Sequence, residues 1–96
     1  EVRRELVGRI VATRDRVGPL LAAIPGITVY PTAANFFLVQ FDRADPKVVF
    51  QRLYAEDGIL VRDVSGVPGL ERCLRISVGT DDDMDAVVTA LRRILA

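Results

Sequence analysis

Two arginines stand where strand-like segments are otherwise apolar: Arg75 interrupts Cys73-Leu-Arg-Ile-Ser-Val78, and Arg62 ends Ile59-Leu-Val-Arg62. Side chains alternate along a strand, so Leu74, Ile76 and Val78 share one face while Cys73, Arg75 and Ser77 share the other. The segment is thus apolar toward a core and offers a guanidinium to whatever covers its second side. If the two strands pair, Arg62 and Arg75 become two fixed cations on one face, with the Asp63–Arg72 loop between them. A planar guanidinium grips carboxylate or phosphate through two parallel hydrogen bonds, which suits a small substrate with two anionic groups. The competing arrangement is a pair of ordinary salt bridges, from these arginines to Asp63 or Glu71.

Other chemical candidates read as structure. Asp81-Asp82-Asp83 lacks the spacing of a calcium loop, whereas Thr80 with Asp83 three residues on fits a variant capping box, with acids at the positive end of a helix. Gly66-Val-Pro-Gly69 and Val78-Gly-Thr80 match no dinucleotide or phosphate-loop fingerprint and read as turns. Cys73 has no base near it in sequence to activate a thiol and reads as a small core filler. With no His and one Cys, the chain has neither a metal-ligand set nor an internal disulfide, and a reducing compartment is expected. Thirteen basic residues balance thirteen acidic ones without a basic block, which argues against nucleic acid and anionic membranes as partners. No apolar run approaches the ~20 residues of a membrane span, and a cytoplasmic location is expected.

Positioning the arginines requires a core, and a composition 50% hydrophobic and 27% charged supplies one compact domain over residues 1–96. Leu6, Ile10, Val17, Leu21 and Ile24 recur at helical spacing, with a kink or restart expected at Gly18-Pro19 and an end at Pro25-Gly26. Ile27–Tyr30 is a short β-branched strand, and Pro31–Ala34 a connection to Asn35. Phe36–Phe41 reads as a central strand buried on both faces. Asp45 caps a helix that starts at Pro46, runs to about Asp57 on a stripe of Val49, Phe50, Leu53 and Tyr54, and stops at Gly58. Strands Ile59–Arg62 and Cys73–Val78 follow, then a helix with core residues Met84, Val87, Val88, Leu91 and Ile94/Leu95. The expected fold class is α+β: a small, largely antiparallel sheet with helices packed on one face.

Tyr30-Pro-Thr-Ala-Ala-Asn-Phe-Phe-Leu-Val-Gln-Phe41, Gly58-Ile-Leu-Val-Arg-Asp63 and Cys73-Leu-Arg-Ile-Ser-Val-Gly-Thr80, in this order and spacing, resemble the C-terminal small domain of the histidinol-phosphate aminotransferases. The resemblance covers nearly the whole chain. It implies a fold-type I enzyme that uses pyridoxal 5′-phosphate, works as a homodimer, and passes an amino group between glutamate and imidazole acetol phosphate in histidine biosynthesis. It also implies that Arg75 grips the substrate α-carboxylate, that Arg62 serves the phosphate end of the substrate, and that Asn35 lies where the small domain approaches the cleft. The family's cofactor is bound as a Schiff base to a lysine of a large domain. Here the only lysine is Lys47, in a helix's first turn, and it does not match that motif.

The chain also begins at Glu1 without an initiator Met. It is therefore expected to be a C-terminal domain that docks on a large domain of the same parent chain and holds neither catalytic residue nor cofactor itself. The alternatives are the small domain of a related aromatic aminotransferase or phospho-amino-acid decarboxylase, or a stand-alone regulatory module that binds a small anion.

Overall fold

The computed structural model describes the backbone of residues 2–30 and 35–96, and the side chains of 8–30 and 35–96. Its elements are α1 (Val2–Ala22), β1 (Ile27–Tyr30), β2 (Phe36–Phe41), α2 (Pro46–Asp57), β3 (Arg62–Asp63), β4 (Cys73–Ser77) and α3 (Asp81–Leu95). The strands form one antiparallel sheet in the order β1-β2-β4-β3. The α+β layer expected from the sequence is the one observed. No helix among the described residues is long and apolar enough to cross a membrane.

Alternation along the strands builds the core. Phe37, Val39 and Phe41 of β2 and Leu74 and Ile76 of β4 join one buried cluster with Val17 and Leu21 of α1, Val49 and Leu53 of α2, and Met84, Val87 and Leu91 of α3. Burying a side chain of this kind contributes roughly 1.5–3 kcal/mol. All three helices feed this one cluster, and on the other face of β2 Phe36, Leu38 and Gln40 are only half-buried among the described residues. The expectation that β2 is buried on both faces is corrected accordingly. Its central place in the ladder satisfies its backbone, but only one row of its side chains meets a helix.

The helix ends are held by local chemistry. Asp45 caps α2 by accepting from the Lys47 N–H at 2.9 Å, and Gly58, with φ +66°, closes it by donating to the Tyr54 carbonyl at 3.0 Å. Thr80 and Asp83 form the expected capping box at α3: the Thr80 hydroxyl accepts from the Asp83 N–H at 3.1 Å, and the Asp83 carboxylate from the Thr80 N–H at 3.3 Å. A Cβ on Gly79 would lie 2.9 Å from the Asp83 carboxylate, so a larger residue there would require that side chain of the box to shift.

Four expectations are corrected. Helix α1 continues through Gly18-Pro19 and ends at Ala22 rather than Ile24. Pro19 is exposed, so water can serve the Asp15 carbonyl that proline leaves without a donor, while the Ala23 N–H still donates to the Pro19 carbonyl at 3.1 Å. Tyr54 is 61% exposed and outside the α2 stripe, which Val49 and Leu53 carry with Phe50 packed at the edge. Strand β3 is Arg62–Asp63 rather than Ile59–Arg62, because the Ile59 N–H is spent on the Leu53 carbonyl at the end of α2. Strand β4 ends at Ser77, although the Val78 N–H still donates to the Asn35 carbonyl at 2.8 Å. The Pro31–Ala34 connection and the Leu6 side chain lie outside the described residues.

Exposed ion pairs tie the helices together. Arg16 on α1 meets Asp81 at 2.8 Å and Asp85 at 2.9 Å on α3. Arg93 on α3 meets Glu56 at 3.1 Å and also Asp57 at the end of α2, while Arg52 meets Glu56 at 2.6 Å. Hydrogen bonds from these arginines hold the Asp81, Glu56 and Asp57 carboxyls below their ordinary values, the Arg16, Arg52 and Arg93 bonds respectively being the largest cause. The folded chain therefore binds fewer protons than the unfolded chain on the acid side, and its stability rises with pH there. The urea midpoint should hold above the ordinary values of 3.8 for Asp and 4.5 for Glu and fall as pH drops below them. Added salt should flatten that fall, since exposed pairs are screened; a midpoint level from pH 6 to pH 3 refutes the assignment.

Candidate substrate-anion site

The sheet's uncovered face carries the arginines. Arg75 on β4 stands directly opposite Leu38 on β2 and directly opposite Arg62 on β3, and Leu38 in turn opposes Tyr30 on β1. Tyr30, Leu38, Arg75 and Arg62 thus form one row across all four strands. Directly opposed residues project to the same side with Cβ atoms about 4.5–5.5 Å apart, so Arg62 and Arg75 stand as neighbours on one face.

Arg75 is held from below. Its guanidinium carbon lies 5.0 Å from the centroid of the Phe36 ring, one rung further along the uncovered face. A cation over an aromatic face gains about 0.5–1 kcal/mol at an exposed site and more when desolvated. The Arg75 Nε is shielded from solvent and has no hydrogen-bond partner. Among the described residues no ion pair reaches Arg75 or Arg62.

The carboxylates considered as structural partners are engaged elsewhere. Asp63 accepts from the Ser65 N–H at 2.9 Å and the Ser65 hydroxyl at 2.5 Å, and these bonds hold its carboxyl below the ordinary value. Glu71 accepts from its own and the Gly69 N–H, the latter at 3.1 Å, with the same consequence. Two like charges set directly opposite are mutually unfavourable. An anion placed between them would reverse that sign, and the flat fork of each guanidinium suits carboxylate or phosphate.

Asn35 is elsewhere. It is exposed, pairs through its carbonyl with Val78, and sits three rungs from Arg75. At about 3.3 Å per residue this is roughly 10 Å along the strand, so the described fold joins Arg62 with Arg75 but not Asn35 with either. Cys73 is buried as expected, though outside the main cluster, with Sγ 3.6 Å from the Glu71 carbonyl. Burial and then the Glu71 charge push its thiol pKa up, the opposite of an activated nucleophile. No group of three or more metal-ligating side chains occurs among the described residues. A cleft of about 760 Å³ between α1 and the start of α3 is lined by Arg16, Asp81 and Asp83, but these serve the Arg16 ion pairs and the capping box. Phe36 and Leu38, which line the arginine row, were not singled out from sequence; their signal is the alternation of β2 opposite its core-facing residues.

Residues 3–91 match the family described as aminotransferase class I and II. The chain belongs to this family. It is 46% identical over 94 residues to histidinol-phosphate aminotransferase of Thermoanaerobacter pseudethanolicus, an alignment covering 98% of this chain and 26% of that protein. It is similar to the solved histidinol-phosphate aminotransferase of Sinorhizobium meliloti in complex with pyridoxal 5′-phosphate, with a TM-score of 0.79, 35% identity, and coverage of 97% of this chain and 26% of that one. It is also similar to a solved decarboxylase from Sulfurospirillum multivorans, with a TM-score of 0.85, 32% identity, and coverage of 90% and 25%. The chain spans about a quarter of the length of these relatives.

In this aminotransferase-family chain the opposed arginines make a sharp stability prediction. Arg62→Gln should leave the ligand-free chain unchanged or stabilise it by up to about 0.2–1 kcal/mol in urea unfolding, because it removes a like-charge neighbour. A loss of more than about 1 kcal/mol would instead reveal a carboxylate partner for Arg62.

Proposed function

We propose that this chain is the substrate-gripping small domain of a pyridoxal-phosphate-dependent histidinol-phosphate aminotransferase. The parent transfers an amino group between L-glutamate and imidazole acetol phosphate in histidine biosynthesis, works in the cytoplasm, and is a homodimer. The observation that carries the reading is the Arg62–Arg75 pair: two directly opposed cations without ion-pair partners among the described residues, on the sheet face away from the helical core. The family membership and the names of the relatives support it.

Arg75 holds the substrate α-carboxylate. Its strand position, the Phe36 ring beneath it and the rungs on either side limit where the fork can point. A carboxylate clamped in two parallel bonds fixes the orientation of the neighbouring Cα–H bond, and positioning of this kind can supply on the order of 7–11 kcal/mol of barrier reduction at its best. Arg62, next in the row, serves a second anionic group such as the phosphate of the acceptor. Asn35 contributes at the edge of the cleft formed with the large domain.

The chain's own residues do not fit the cofactor. Lys47, the sole lysine, is exposed in the first turn of α2, where its charge is felt by the Asp63 carboxyl, and it does not match the family's Schiff-base lysine motif. Pyridoxal phosphate, which supplies the electron sink for amino transfer, is therefore held by the large domain of the parent. A second reading, favoured by the 32% identity to the Sulfurospirillum decarboxylase, is the small domain of a decarboxylase for a phosphorylated amino acid. Release of carbon dioxide in place of an amino-acceptor requirement would select it.

In the full-length parent, Arg75→Ala should lower kcat/KM by about a hundredfold or more while leaving the cofactor's visible absorbance intact. Arg75→Lys should fail nearly as badly, since an ammonium cannot reproduce the fork. The isolated 96-residue chain should take up no pyridoxal phosphate and show no turnover. An unchanged kcat/KM in Arg75→Ala overturns the proposal.

A further inference from the structure

Arg72 is the one non-glycine residue among those described with a positive φ, at 64°. A bulky side chain in this left-handed region is uncommon and strained, so it persists only where its surroundings hold it. What holds Arg72 is its own guanidinium. Nε donates to the Phe41 carbonyl at 2.7 Å and Nη2 to the Ala44 carbonyl at 2.9 Å.

These bonds lie on the ladder that carries Arg75. The β2–β4 register pairs Gln40 with Cys73, so the next pair is Phe41 with Arg72. The Phe41 N–H donates to the Arg72 carbonyl at 2.9 Å, as in a regular hydrogen-bonded pair. In such a pair the Arg72 N–H would return the second bond to the Phe41 carbonyl. Beside the left-handed turn at Arg72, the side-chain Nε donates to that carbonyl. One residue thus ends the 63–72 loop, starts β4, and fastens both to the end of β2 and the turn before α2.

Resting on the function proposed above, we propose that Arg72 is a positioning residue. By clamping the Phe41 and Ala44 carbonyls it fixes the first rung of β4 and, three residues on, where Arg75 presents its fork. It touches no substrate. Its Nε and one Nη are engaged by the two carbonyls, so in this proposal it acts through Arg75.

The test uses the full-length aminotransferase containing this chain, with Arg72→Gly, Arg72→Lys, Arg75→Ala and the double variant Arg72→Gly/Arg75→Ala. Glycine removes the clamp yet accepts the positive φ, so folding is retained; lysine can reach one carbonyl but not bridge two. Arg72→Gly should raise KM for the amino-acid donor about tenfold, with kcat within twofold, the cofactor spectrum unchanged, and Arg72→Lys in between. Added to Arg75→Ala, Arg72→Gly should change KM no further, since both act on one contact. The inference fails if Arg72→Gly leaves KM at the wild-type value, or if kcat and thermal stability fall while KM does not move. It also fails if the two substitutions are additive. Should Arg75→Ala itself leave KM unchanged, the carboxylate-grip reading falls; should Arg75→Ala raise KM and Arg72→Gly not, only the role of Arg72 falls.

Discussion

The ladder between β2 and β4 is the constraint on which the rest of the chain depends. It pairs Phe37 with Ile76 and Val39 with Leu74, and in doing so sends Leu38 and Arg75 to the opposite face. A slip of one residue would turn Arg75 into the helices and Leu74 out to solvent. Such a slip would bury a guanidinium without a partner and expose a side chain that is now fully buried. The apolar core and the presentation of the cation are therefore one choice of register, and the stability of the first enforces the second.

Charges on the two sides of the sheet are treated differently. On the helical side, Arg16, Arg52 and Arg93 each meet carboxylates, and the triplet at the start of α3 divides between capping and the Arg16 pair. On the uncovered side, Arg62 and Arg75 stand opposed while Asp63 and Glu71 turn back on their own loop. Local loop bonds thus remove the nearest acids from competition. A fold selected only for stability has no reason to place like charges in register, and that contrast distinguishes the arginine row from the rest of the surface.

Much of the fold was legible in short-range pattern. The alternation Leu74, Ile76, Val78 against Cys73, Arg75, Ser77 needs only strand geometry, and the caps at Asp45, Gly58 and Thr80–Asp83 need only side chains reaching their own backbone. The misreadings share a cause in longer-range packing. Whether β2 is covered on one face or two depends on where three helices settle, and Tyr54 sits one residue beyond Leu53 on a helix whose contact stripe is narrow. Pro19 does not break α1 because of which side of the helix meets water, and β3 begins late because Ile59 is consumed in closing α2. Arg72 carried no signal at all, since its clamp joins residues about thirty positions apart.

By itself, the sequence determined the kind of domain, the side of β4 on which Arg75 stands, the resemblance to the aminotransferases, and the lack of any lysine suited to their cofactor. These follow from residue type and from periodicities of two and 3.6, which act over a few neighbours. Only the tertiary structure decided that Arg62 and Arg75 are opposed, that Phe36 lies under Arg75 while Asn35 stands apart, and that the Arg72 side chain bonds the Phe41 carbonyl at the end of β2. Those are matters of strand order and register, which arise when hydrogen bonding and core burial are satisfied together along the whole chain.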